Sequence, residues 1–165
     1  MKRLRTTSMI AAVCTLGLAV ATAAVHAADD NKLSIPVAFG RGLNIAANLA
    51  DNQVMIPDTV RLKEKGVVHF LVAGFHQIVV YNPGKTDDDV VVPGTGTFID
   101  DTNEQFYSGI VPAGGPPPGL PVTTDPSNAR NRVESVSFAA PGTYLVICNV
   151  RGHFNDGMFG YVKVN

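Results

Sequence analysis

Four side chains in this sequence have the chemistry to hold a soft or borderline metal. Cys148, His153 and Met158 come from one stretch, residues 144–164 (YLVICNVRGHFNDGMFGYVKV), with the spacing C-x4-H-x4-M. A thiolate, an imidazole and a thioether together are a ligand set that selects copper. A cysteine at the end of a strand points into the gap between sheets, and turns containing Gly152 and Gly157 bring His153 and Met158 back around one point. His76, at the entry of a predicted strand, is the candidate for a second imidazole from a distant part of the chain. A metal there would have two imidazoles and a thiolate near one plane and the thioether as a long axial contact.

Zinc competes for Cys and His, but structural zinc sites gather four strong ligands, often as close Cys pairs, and this chain has neither feature. The cysteine count supports a bound metal. Residues 1–27 read as a secretory signal peptide: Lys2, Arg3 and Arg5 precede an apolar run from Met9 to Ala24, and Val25-His26-Ala27 offers a small-residue cleavage site before Ala28. Cys14 falls inside that leader, where the preceding Val13 argues against lipidation. Cys148 is then the single cysteine of an exported chain, and coordination explains why it is kept.

After the leader, 138 residues remain, enough for one domain with a sizeable core. They hold 10 Lys and Arg against 14 Asp and Glu, which leaves no basic footprint for nucleic acid. Frequent Gly and Pro with many Val, Phe and Thr favour strands over helices.

The ligand-bearing segments need a frame of short strands. Leu33-Ser34-Ile35-Pro36-Val37-Ala38-Phe39 alternates and suits an edge strand, because Pro36 cannot donate to a ladder. Residues 43–50 fit neither the helix nor the strand period. Val54-Met55-Ile56 stops at Pro57, and Val60 and Leu62 then alternate with Arg61 and Lys63. In residues 67–72, Val68, Phe70 and Val72 share one face, and His69 lies on the other as a surface or rim histidine. The run 76–81 starts after the Gly74-Phe75 turn and ends at Asn82-Pro83-Gly84. Residues 85–132 form a long Pro/Gly-rich loop insertion with short strands expected at 90–92 and 106–111; a lid, a docking element and a solvated excursion all fit its composition. Residues 133–138 alternate cleanly, the turn Ala140-Pro141-Gly142 leads into a strand ending at Cys148, and residues 159–164 make the last strand. The pattern is all-β, a sandwich or barrel.

At these residues the chain resembles the cupredoxins, small blue-copper electron carriers with an upstream histidine on a strand and a Cys, His, Met loop before the last strand. The likeness spans residues 54–165 and is most specific at His76 and residues 141–164. Within the family, Pro141-Gly142-Thr143-Tyr144, Gly157-Met158-Phe159-Gly160 and the ligand spacing are most similar to rusticyanin and sulfocyanin. The resemblance implies an eight-stranded-type Greek-key β-sandwich over residues 28–165. It also implies one type 1 copper per chain with His76, Cys148, His153 and Met158 as ligands, and His153 as the electron port through an apolar patch. Phe154 and Phe159 are candidates for that patch, which suits brief docking to a c-type cytochrome or a terminal oxidase. Arg151 departs from the family by standing where such loops tend to carry proline; as a cation near the metal it is expected to favour Cu(I). Gln77 and Asn149 are expected to hold the ligand loop.

The function expected from sequence is therefore an exported, periplasmic, monomeric electron carrier and not an enzyme. A cupredoxin-type subunit of a copper oxidase or nitrite reductase would need further histidine-rich sites, and only His69, His76 and His153 follow the leader. A periplasmic copper carrier would favour Met- and His-rich tracts with open ligation, which the sequence lacks.

Overall fold

Apolar alternation builds two sheets that bury their facing sides. The computed structural model describes residues 32–40, 52–99, 101, 104–112 and 130–165; the leader 1–27, the segment 43–50 and the proline run 114–119 lie outside them. The strands are β1 (Ser34–Phe39), β2 (Met55–Ile56), β3 (Thr59–Leu62), β4 (Gly66–Ala73), β5 (Ile78–Tyr81), β6 (Gln105–Ser108), β7 (Asn131–Phe138), β8 (Gly142–Cys148) and β9 (Phe159–Val164). One helix, α1 (Arg151–Asn155), lies between β8 and β9. One sheet has the order β2-β1-β4-β7 and the other β3-β9-β8-β5-β6. Both are mixed, with β1 parallel to β4 and β3 parallel to β9. This is the all-β sandwich expected from the alternation. No helix among the described residues is long and apolar enough to cross a membrane.

Strand parity decides which side chains meet. Val37, Phe39, Val68, Phe70, Val136 and Phe138 of the first sheet pack against Ile78, Val80, Val146 and Val162 of the second. Pro36 sits where its strand is open on one side: β2 pairs only with Ala38 and Phe39, so the proline's missing N–H interrupts no ladder. His69 points outward and bonds Ser135 at 2.8 Å, as a surface histidine.

β5 and β8 are buried on both faces, which is why they read as unbroken apolar runs. Their outer side chains, Val79, Tyr81, Leu145 and Ile147, form a second cluster with Val90 and Ile99 of the long insertion. The first part of the insertion is thus a cover for this sheet. It does not form the strand expected at residues 90–92. Asp87–Asp89 is a 3-10 turn instead, closed by the Asp89 carboxylate accepting from the Thr86 N–H and hydroxyl. The Val90 N–H is taken by the Asp87 carbonyl at 3.3 Å and is lost to any ladder. The second expected strand forms as β6, slightly earlier than 106–111.

Gly160 lets β9 pass the crossover between β2 and β3. A Cβ there would lie 2.2 Å from the Asp58 carbonyl oxygen and 2.9 Å from Met55 Sδ. Gly160→Ala should lower the unfolding free energy by about 1–3 kcal/mol through overpacking. Gly152→Ala, whose Cβ would meet nothing within 4 Å, should be neutral or slightly stabilising in the helical turn; urea melts of the two variants check the contrast.

Candidate metal centre

The pairing of β5 with β8 sets Ile78 opposite Cys148. Cys148 shares the parity of Tyr144 and Val146 and so points into the space between the sheets, fully buried. His76 lies two residues before Ile78 and shares its side of the strand. The third side chain comes from the loop. Val150 caps α1, the His153 and Phe154 N–H groups bond the Val150 carbonyl, and Gly157 with φ +92° ends the turn in the left-handed region. The expected pair of turns is therefore one helical turn and one glycine reversal.

The result is a small triangle of donors. His76 Nδ1 lies 3.0 Å from His153 Nδ1, and each is 3.6 Å from Cys148 Sγ. The point equidistant from these three atoms is about 2.0 Å from each, a metal–ligand bond length. His76, Cys148 and His153 form a group that can hold a metal ion. Met158 is fully buried in the same core cluster as Cys148, and its main chain pairs with both other loop residues of the site: the Cys148 N–H bonds the Met158 carbonyl at 3.0 Å, and the Met158 N–H bonds the His153 carbonyl at 2.9 Å.

Main-chain and glycine contacts fix the donors. The His76 ring bonds the Ala73 carbonyl, and with Nδ1 aimed at the triangle this task falls to Nε2, which selects the tautomer with a free Nδ1 lone pair. Gly40, with φ +90°, lies against the ring: a Cβ there would be 2.5 Å from both Nε2 and the Ala73 oxygen. Phe39 meets the His76 ring in a T-shaped contact with centroids 5.9 Å apart. The Val150 and Gln77 N–H groups donate to the Cys148 sulfur. Gln77 and Asn149 hold the loop as expected, with Asn149 Nδ2 donating to Gln77 Oε1 and the Asn149 N–H to the Gln77 carbonyl, both at 2.8 Å.

Burial sets the protonation of the metal-free site. It lowers His76 to about 3, aided by His153 and Arg132, and lowers His153 to about 4 against a smaller opposing effect of Asp156. Burial raises the Cys148 thiol to about 12, although the two N–H donors and Arg132 oppose it. Two neutral imidazoles and a thiol therefore share a dry pocket with their lone pairs converging.

Two of the loop residues have further contacts. The Arg151 guanidinium is engaged by the carbonyls of Gly96 at 2.8 Å and Gly94 at 3.3 Å, and its N–H by Thr97 at 2.9 Å, so it braces the ligand loop against the insertion. Arg132 is a cation whose charge bears on both His76 and Cys148. Phe154 and Phe159 lie 5.7 Å apart with their rings tilted and are half-buried, packed against the second cluster. Sequence reading passed over Arg132 and Glu134, although their parity with Val136 and Phe138 marks both as inward-facing.

No protein-family model matches the chain, and no curated protein matches it. Solved structures do. Dithionite-reduced auracyanin from the photosynthetic bacterium Roseiflexus castenholzii is 19% identical, with 82% of this chain and 98% of that chain covered and a TM-score of 0.49. Plastocyanin from Dryopteris crassirhizoma is 19% identical over 79% of this chain and 100% of that one, with a TM-score of 0.44. Native pseudoazurin from Hyphomicrobium denitrificans is 16% identical over 80% and 75%, with a TM-score of 0.41. These neighbours are cupredoxins, the family that the ligand-loop resemblance names. All three TM-scores lie below 0.5, so the functional reading rests on the site's own side chains.

The depressed histidines give a pH dependence with a defined sign. Below pH 6.5 the unfolded chain binds protons at His76 and His153, while the folded metal-free protein does so only near 3 and 4. Stability should therefore fall as pH drops from about 6.5 toward 4. In urea melts of the metal-free protein, His153→Gln should show a shallower fall by one proton's worth of slope.

Proposed function

We propose that this chain is an exported cupredoxin that holds one type 1 copper with His76 Nδ1, His153 Nδ1 and Cys148 Sγ, with Met158 as the axial ligand, and that it carries single electrons between redox partners. The observation that carries the reading is the triangle of converging donors, two buried and one half-buried. Its composition of one thiolate and two imidazoles, with a buried thioether main-chain-bonded to both loop ligands, suits copper better than zinc. Bound copper supplies one-electron cycling between Cu(I) and Cu(II).

The chain's own residues do the rest. Cys148 gives up its thiol proton on binding and remains a thiolate, held by the N–H groups of Val150 and Gln77. Both imidazoles are already neutral at pH 7, so they offer lone pairs without losing protons. Gln77, Asn149 and Arg151 tie the loop to β5 and to residues 94–97, which keeps the donors in place whichever charge the centre carries and so lowers reorganisation. His153, half-buried at the end of the sandwich, is the port for electrons. A closed donor set leaves no place for a substrate, which favours a carrier over an oxidase or nitrite-reductase subunit. A c-type cytochrome or a terminal oxidase in the periplasm fits as the partner of a monomer.

The test is metal loading of the mature chain. Cu(II) should produce an intense sulfur-to-copper charge-transfer band in visible absorption and raise the melting temperature, since the folded site alone binds the ion. Cys148→Ser should lose the band, and Met158→Leu should keep it while changing the reduction potential. A wild-type protein that takes up Cu(II) without the band would sink the assignment.

A further inference from the structure

β7 carries two charges on its inward face. The side chains of Arg132 and Glu134 are 9% and 2% exposed. Arg132 Nε donates to Glu134 Oε1 at 2.5 Å, and Nη2 contacts the same oxygen. Glu134 Oε2 accepts the Tyr107 hydroxyl at 2.6 Å and the Ile110 N–H at 3.4 Å. A Cβ on Gly109 would lie 2.2 Å from that oxygen, so the chain after β6 is shaped around the carboxylate. From this anchor Arg132 Nη2 donates to the carbonyls of His76 and Ile110, both at 2.9 Å.

Stability does not account for such a pair, because well-packed apolar replacements of a buried ion pair are often as stable or more so. Its orientation does. The guanidinium bonds the main chain of His76 itself, while the carboxylate is turned toward Tyr107 and the chain after β6. The field of Arg132 reaches both His76 and Cys148, where it opposes the protonated form of each.

We propose that Arg132, oriented by Glu134, is a positioning residue of the metal centre: it clamps the His76 main chain to the ends of β6 and β7 and turns the positive end of a buried dipole toward the donors, favouring the reduced state. The inference rests on the copper reading above. A centre of one thiolate and two neutral imidazoles carries one more positive charge when oxidised, so a nearby cation disfavours that form.

Three variants of the copper-loaded mature chain test this by visible absorption, EPR and redox titration. Glu134→Gln keeps the clamp and removes the balancing charge, so the potential should rise. Arg132→Met combined with Glu134→Leu removes the dipole without stranding a buried charge, so the potential should fall. Each shift should correspond to about a tenfold change in the Cu(I) to Cu(II) affinity ratio, or about 59 mV for one electron. Arg132→Lys keeps the charge and loses the fork, so its potential should stay near wild type while its EPR signal broadens. It also serves if the double variant does not fold. A band in every variant with potentials and EPR unchanged overturns the positioning role and leaves the copper reading intact. A wild-type protein without the band overturns both.

Discussion

The site depends on one register. Cys148 stands opposite Ile78 in the β5–β8 ladder, and both point into the space between the sheets. His76, two residues upstream of Ile78, inherits that orientation. A slip of one residue would turn every side chain of the slipped strand to the opposite face and separate the thiol from the imidazole. The register is held because β5 and β8 are buried on both sides: inward by the main core, outward by the cluster that Val90 and Ile99 complete. Residues 90–99 of the insertion thus support the candidate metal centre from a distance, by covering the sheet that aligns it and by giving carbonyls at residues 94–97 to Arg151.

The same burial that aligns the donors makes the metal-free site unfavourable. Two imidazoles are held below their ordinary range and a thiol above it, all by removal from water. The glycine cradle and the Ala73 carbonyl prevent the His76 ring from turning its Nδ1 away from the triangle. A cation that replaces the thiol proton relieves this frustration, so binding and folding are coupled. Arg132 and Glu134 add a buried charge pair to an end of the domain that also buries Gln77, Asn149 and Arg130.

Much of this was legible from sequence because it is local. The C-x4-H-x4-M spacing, the parity that sends His69 outward and Val68, Phe70 and Val72 inward, and the position of His76 after a Gly-Phe turn all depend on neighbours a few residues away. What escaped depends on distant contacts. Nothing near residues 90–92 shows that a 3-10 turn takes the Val90 N–H, and nothing near Phe154 shows that the outer cluster of β5 and β8 packs against it. Gly40 gives no local hint that it lies against the ring of His76. Arg132 and Glu134 are different, since their inward parity was readable in the alternation of β7, where a charged pair on the apolar face is itself a signal. The carbonyls of Gly94 and Gly96 that bind Arg151 are likewise far from it in sequence.

On the proposed reading, the fold presents one thiolate and two imidazoles to a single copper and keeps them in place in both oxidation states. X-ray absorption at the copper edge measures this directly. The expected result is a shell of two imidazole nitrogens at about 2.0 Å and one sulfur at about 2.3 Å, nearly unchanged on reduction. A shell of oxygen and nitrogen alone, or one that gains or loses a ligand between Cu(II) and Cu(I), would contradict it.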